Sequence, residues 1–211
     1  NHPSYYRRIF AAYLGGGRSQ LSFWHDEPAA NEAAFGSDPC QYFMPFTEKA
    51  RYAGPFDAAG IPMLDYRGAI GPQYNRIAIA QYGLGCWNRW RREGDRESLA
   101  KAVRAGDWLA AHLELNRSGK RVWMHHFAWE YFRPLKAPWQ SGLAQGQGIS
   151  LLLRLAAAPE ADRPAFRTAA ETAFDALAAP IAEGGCLDTD AEGNIWIEEY
   201  LTEPTTHILN G

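Results

Sequence analysis

With 211 residues, 46% of them hydrophobic and 21% charged, the chain is long and apolar enough to bury one core and too hydrophobic for a disordered or fibrous protein. A formal net charge of −3 leaves no broad basic field for sequence-independent nucleic-acid binding, so any anionic partner must be met locally. Cys40, Cys86 and Cys186 stand at wide spacings without a CxxC or Cys/His cluster, which argues against a disulfide framework or a zinc site, and no run reaches the ~18 apolar residues of a membrane span.

Residues 1–71 are rich in Gly, Pro and aromatics, with turn signals every few positions in YLGGGRS, DEPAANEAAFGSDPC and AGPFDAAGIPMLDY. They predict an irregular N-terminal segment packed on the rest, with one short helix near residues 4–14. From Pro72 the texture changes. PQYNRIAIAQYGLGCWNRWRR has helical spacing and a Pro near its first turn. Leu99, Ala102, Val103, Leu109, Ala110 and Leu113 then mark an amphipathic helix. GKRVWMHHFAWEYF carries β-favouring residues around two histidines and predicts a short strand or hairpin. WQSGLAQGQGISLLLRLAAA predicts a buried helix, and residues 163–182 an amphipathic one. GGCLDTDAEGNIWIEEYL predicts a hairpin turning at DAEGN, after which TTHILNG begins another helix.

These pieces repeat as helix, helix, hairpin. Gln81 and Gln145 are 145 − 81 = 64 positions apart, and Asn210 lies 210 − 145 = 65 further on. A near-constant period of helical pairs predicts an all-α fold, an incomplete α/α toroid over residues 72–211 with short β-hairpins between the pairs. The Gly-, Ala- and Gln-rich helices would form its inner ring, and the connecting loops would converge at one end, where a groove for a chain-like ligand forms. The small residues also suit plain close packing.

The strings PQYNRIAIAQYGLGCWN, WQSGLAQGQGISLLLRL and IWIEEYLTEPTTHILNG, in this order and spacing, resemble the C-terminal domain of D-glucuronyl C5-epimerases. The resemblance runs from about residue 62 to 211. It implies epimerisation of glucuronate to iduronate within a heparosan-like polysaccharide, on an α/α helical catalytic domain, without a cofactor. Its partner would be an acidic polysaccharide, with neither nucleic acid nor membrane contacted and a homodimer as a further expectation. The Ala- and Arg-rich texture suits a bacterial member, whereas animal members are Golgi proteins. The family motif W-x-E-E-Y-P places its active-site Glu and Tyr on Glu199 and Tyr200; Leu201 replaces the Pro. Other catalytic tyrosines and basic residues of the family lie beyond its L-N-G-F segment, so the site within residues 1–211 is expected to be partial and the segment cut at both ends.

The chemistry suits such a pair. The C5 proton of a uronate is α to a carboxylate, so its removal requires charge neutralisation and an acid and a base on opposite ring faces. Glu199 can act as base or tune a neighbour, and Tyr200 is a weak acid with an ordinary pKa of about 10. Neighbouring strand residues face opposite ways, which makes Glu198 the competitor. Substrate contacts are expected from Gln81, Tyr82, Gln145 and Gln147 on the inner helices, from Trp139 as a sugar-stacking ring with Trp196 beside the second motif, and from His207 and Asn210 near the end. Core packing is the competing reading for the aromatics. His125 and His126 lack a further ligand at metal spacing, so no metal is expected, and no glycine-rich phosphate loop follows a strand. A uronate lyase shares the first proton abstraction; a glycoside hydrolase needs two separated carboxyls, which adjacent Glu198 and Glu199 do not provide; a noncatalytic glycan-binding segment is the remaining alternative.

Overall fold

Helices begin where short polar side chains take up orphan amides. Asn75 Oδ1 accepts the Ala78 N–H at 3.1 Å, Asp95 Oδ1 that of Glu97 at 3.1 Å, and Ser141 Oγ that of Ala144 at 3.3 Å. In this computed structural model, which describes Phe10 and residues 20–24, 28–38, 40–130, 133–161 and 163–208, the short helices α1 (Gln20–Trp24) and α2 (Thr47–Ala50) precede four long ones. These are α3 (Arg76–Glu93), α4 (Arg96–Ala111), α5 (Gly142–Ala156) and α6 (Pro164–Leu177). Gly94, at φ +70°, closes α3 with its N–H on Trp90 O, and Pro164 opens α6 at a position whose N–H needs no partner.

Helix α3 pairs with α4 and α5 with α6, and α5 also packs against α3 and α4. The run Arg76–Asn88 is buried throughout, so α3 is wrapped on all sides and shows no polar face. Close approach is built into Gly83, where a Cβ would sit 2.4 Å from Leu151 Cδ2. Trp87, Leu84, Leu109, Trp123, Leu151, Leu152, Leu155 and Phe166 fill the core between the pairs. Residues 40–45 are tied to it by side chains that donate to their carbonyls: Trp87 Nε1 to Cys40 O at 2.8 Å, Asn88 Nδ2 to Met44 O at 2.9 Å and Arg154 Nη2 to Gln41 O at 2.8 Å.

Between the helices the chain forms five two-stranded antiparallel sheets among the described residues. β1 (Leu64–Asp65) pairs with β2 (Pro72–Gln73), and β3 (Glu114–Leu115) with β4 (Arg121–Val122). β5 (Met124–His125) pairs with β8 (Trp139–Gln140), enclosing the smaller pair β6 (Trp129–Glu130) and β7 (Pro134–Leu135). β9 (Leu187–Thr189) and β10 (Ile195–Ile197) form the last hairpin, with Trp196 opposite Asp188.

The expectation of an all-α toroid is therefore corrected. Helix accounts for 44% and strand for 14%, and the architecture is mixed α and β. The 64-residue period reports where helices start, and α3 and α5, bearing Gln81 and Gln145, do pack together. It does not report that the intervening segments fold into sheets with buried side chains of their own. The helix expected from TTHILNG does not begin in residues 205–208, which are irregular. The amides of Thr206 and His207 are taken by the Glu198 carboxylate instead, and His207 has a left-handed φ of +47°. Asn210, and the helix expected over 4–14 apart from Phe10, lie outside the described residues. No helix among the described residues is long and apolar enough to cross a membrane.

Candidate active site

The N-terminal ends of α3 and α5 meet the segment Trp123–His125. The first amide of α3, Arg76 N–H, donates to His125 Nε2 at 3.2 Å. One turn into α5, Gln145 clamps Trp123 through both backbone groups: its Oε1 accepts the Trp123 N–H and its Nε2 donates to Trp123 O, each at 3.1 Å. The end of the last hairpin docks on the same helix, because Gly142 N–H donates to Glu198 O at 3.0 Å. Glycine is needed there, since a Cβ on Gly142 would lie 2.4 Å from that carbonyl oxygen. The N-terminus of α5 thus meets the Glu198 backbone, and that of α3 meets His125.

Strand β10 stops at Ile197, and residues 199–200 form a bend, so strand alternation does not govern which way Glu199 and Tyr200 face. Glu198 is fully buried and occupied. Its carboxylate accepts His207 N–H at 3.0 Å and Thr206 N–H at 3.2 Å, which anchors the chain that follows the bend. Glu199 is buried as well, at 4% exposure, while Tyr200 remains partly open. The Tyr200 ring packs on Trp139 at 5.9 Å between centroids. Trp139 belongs to a small aromatic cluster with Phe127 and Leu135, flanked by Tyr66 and Trp129. Burial pushes the Tyr66 phenol well above its ordinary range, although its oxygen accepts from Asn75 Nδ2 at 2.8 Å.

Behind Trp139 lies His125, fully buried, its ring stacked on the indole at 4.0 Å and 10°. Desolvation, aided by the nearby Arg76 charge, holds its pKa well below the ordinary value, so the imidazole is neutral. With Nε2 accepting, the proton sits on Nδ1, facing the Trp139 backbone. In front of Trp139 opens a cleft of about 690 Å³. Arg117, Arg133, Lys136, Trp139 and Gln140 line it together with residues 201–203, so its charged lining is three cations against Glu203.

The remaining expected contacts separate. Gln145 is fully buried and engaged with backbone, and Tyr82 lies in the main core with its ring edge on Phe56. Gln81 and Gln147 are buried with their Oε1 atoms unpartnered, Gln147 sharing a side-chain bond with Tyr42. His207 Nε2 is 2.9 Å from Asp188 Oδ2, and its ring stacks on Trp196 at 4.7 Å. His126 is exposed beside Glu114, away from His125 in role despite adjacency. The structure therefore gathers Trp139 and Tyr200 at one place, with Glu199 next in the chain. Sequence reasoning missed His125 and the cleft cations; the signal for the latter was their position, in NRSGK and FRPLK, flanking the Trp139 strand pair.

Asp188, Glu198 and His207 bring one ligand atom each within 4.8 Å of one another, the kind of group that can hold a metal ion. Their hydrogen bonds account for the arrangement: His207 holds the Asp188 carboxyl below its ordinary range, with the Thr205 side chain contributing.

A cleft lined by three cations thus lies beside the bend that carries Glu199 and Tyr200, with Trp139 touching both. Residues 118–211 match the family described as D-glucuronyl C5-epimerase C-terminus. A D-glucuronyl C5-epimerase of Caenorhabditis elegans is 34% identical over 107 residues, which cover 51% of this chain and 17% of that protein. The chain thus spans only a small part of the relative's length. That relative is an animal protein, so a bacterial origin gains no support. No solved structure matches significantly.

Proposed function

We propose that the chain contributes to a D-glucuronyl C5-epimerase acting on glucuronate residues of a heparosan-like polysaccharide. The observation that carries this reading is the placement of Tyr200, in the motif IEEY, against Trp139 on the floor of a cleft lined by Arg117, Arg133 and Lys136. The cations offset the carboxylates of the polymer, and the small part of the Trp139 indole that stays accessible lines the same cleft. The reaction removes the C5 proton from one face, leaving the electron pair delocalised into the adjacent carboxylate. A proton then returns from the other face. Tyr200 is the group that exchanges a proton with C5, and buried Glu199 sets its charge state. Charge building on the substrate carboxylate is met by the cleft cations, whose effect is greatest where water is excluded. No resident cofactor is required by this chemistry. The test is incubation of the full-length protein with heparosan in deuterated water. Deuterium at C5 without unsaturated chain ends supports epimerisation, and unsaturated ends assign a lyase instead.

A further inference from the structure

His125 is fully buried and touches both the start of α3 and the indole of Trp139, which lines the cleft. Its Nε2 accepts the Arg76 N–H at 3.2 Å, and its ring lies flat on Trp139, 4.0 Å away and 10° from parallel. Trp139 is held at its edge by Nε1 donating to Phe127 O at 2.7 Å. Tyr200 packs on the same indole at 5.9 Å between centroids, tilted by 54°. Phe127, edge-on at 5.7 Å, and Leu135 also pack against the indole, and the flat imidazole is the partner that matches its plane. We propose that His125 is a positioning residue: its imidazole fixes the plane of Trp139, and Trp139 in turn sets the place of the Tyr200 ring at the cleft. The inference rests on the reading of Tyr200 as the proton-exchanging group.

The two functions of His125 are separable by substitution. His125→Phe keeps a flat ring behind Trp139 and loses the acceptor for Arg76; His125→Gln keeps an acceptor at the position of Nε2 and loses the ring. C5 exchange on heparosan by the full-length protein is measured for both, beside Tyr200→Phe. The expected result is kcat lowered on the order of tenfold to a hundredfold in His125→Gln with KM unchanged, since misplacement of a reacting group by about 1 Å has effects of that size, and kcat close to the parent in His125→Phe. In a Trp139→Ala background, His125→Gln should have no further effect on kcat, because the residue through which it acts is gone. Full additivity, an unchanged kcat in His125→Gln, or equal losses in Gln and Phe variants would overturn the inference. Should His125→Gln not fold, His125→Met takes its place; if no non-aromatic replacement folds, His125 is a core residue and the inference falls. If Tyr200→Phe exchanges normally, the reading of Tyr200 fails instead, whatever the His125 variants do.

Discussion

The two ends of the α3–α5 contact are built on different principles. Further along, the helices meet through Gly83 and Leu151, with Ala105 of α4 closing on the same glycine, a contact of shape alone. At their N-termini they meet through hydrogen bonds to segments distant in sequence. Arg76 bonds to His125, Gln145 to Trp123 and Gly142 to Glu198. Apolar packing tolerates repacking at modest cost, whereas a buried polar group that loses its partner carries the whole desolvation penalty. The polar end can therefore hold groups in fixed geometry, which acid and base chemistry requires.

That contrast can be broken by substitutions at either end. Leu151→Ala at the apolar end should lower stability by about 3 kcal/mol through cavity formation while leaving kcat per folded molecule unchanged; denaturant unfolding and exchange kinetics check both halves. Gly142→Ala at the polar end forces the Glu198 carbonyl away from α5. A loss of about 1–3 kcal/mol is expected, as for other overpacked sites, accompanied here by a marked fall in kcat. A Gly142→Ala protein with full turnover would show that the bend does not depend on this docking. Removing the charge of Arg117, Arg133 and Lys136 together should raise KM about tenfold, with binding less salt-dependent, because the proposed ligand is anionic. Titration of immobilised heparosan at two salt concentrations reads this.

The smallest effects are those of pH. The folded-state pKa of His125 lies below its ordinary value of 6.5, so below pH 6.5 the unfolded chain binds a proton that the folded one refuses. Stability contributed by this residue is present above pH 6.5 and is lost as pH falls from there toward its folded pKa, by at most about 1.4 kcal/mol per pH unit. His125→Phe should flatten that slope in unfolding titrations between pH 7 and 5. The Asp190 carboxyl, bonded first by the Trp196 indole and then by Asn194, is held down to about 2, so the turn of the last hairpin should keep its amide protection as pH falls below 3.8 and lose it only near 2.

The four long helices were legible because each has a period, a capping residue or a Pro at its start, and the last hairpin because DAEGN, with Gly193 at φ +85°, leaves little choice of turn. Residues 112–141 were not. Their strands are two residues long, too short for any period, and Met124 finds Gln140 sixteen positions along the chain. The toroid failed for that reason: periodicity measured the helices and was silent about the sheets between them. At the site, the motif led to Glu199 and Tyr200, but the burial of Glu198 on two distant amides and the stacking of His125 on Trp139 depend on long-range placement that no spacing reveals. The adjacent histidines, which lack a further ligand at metal spacing, part in the structure: His126 is exposed beside Glu114 and His125 is buried on an indole.

Tyr200 carries the proton exchange in the proposed reaction. Solvent-deuterium incorporation at C5 of heparosan by the full-length protein and its Tyr200→Phe variant tests it directly, because the substitution removes one hydroxyl and keeps the ring on Trp139. A fall in exchange of about a hundredfold or more, with polysaccharide binding retained, is the predicted result. Exchange at the parent rate in Tyr200→Phe would contradict it.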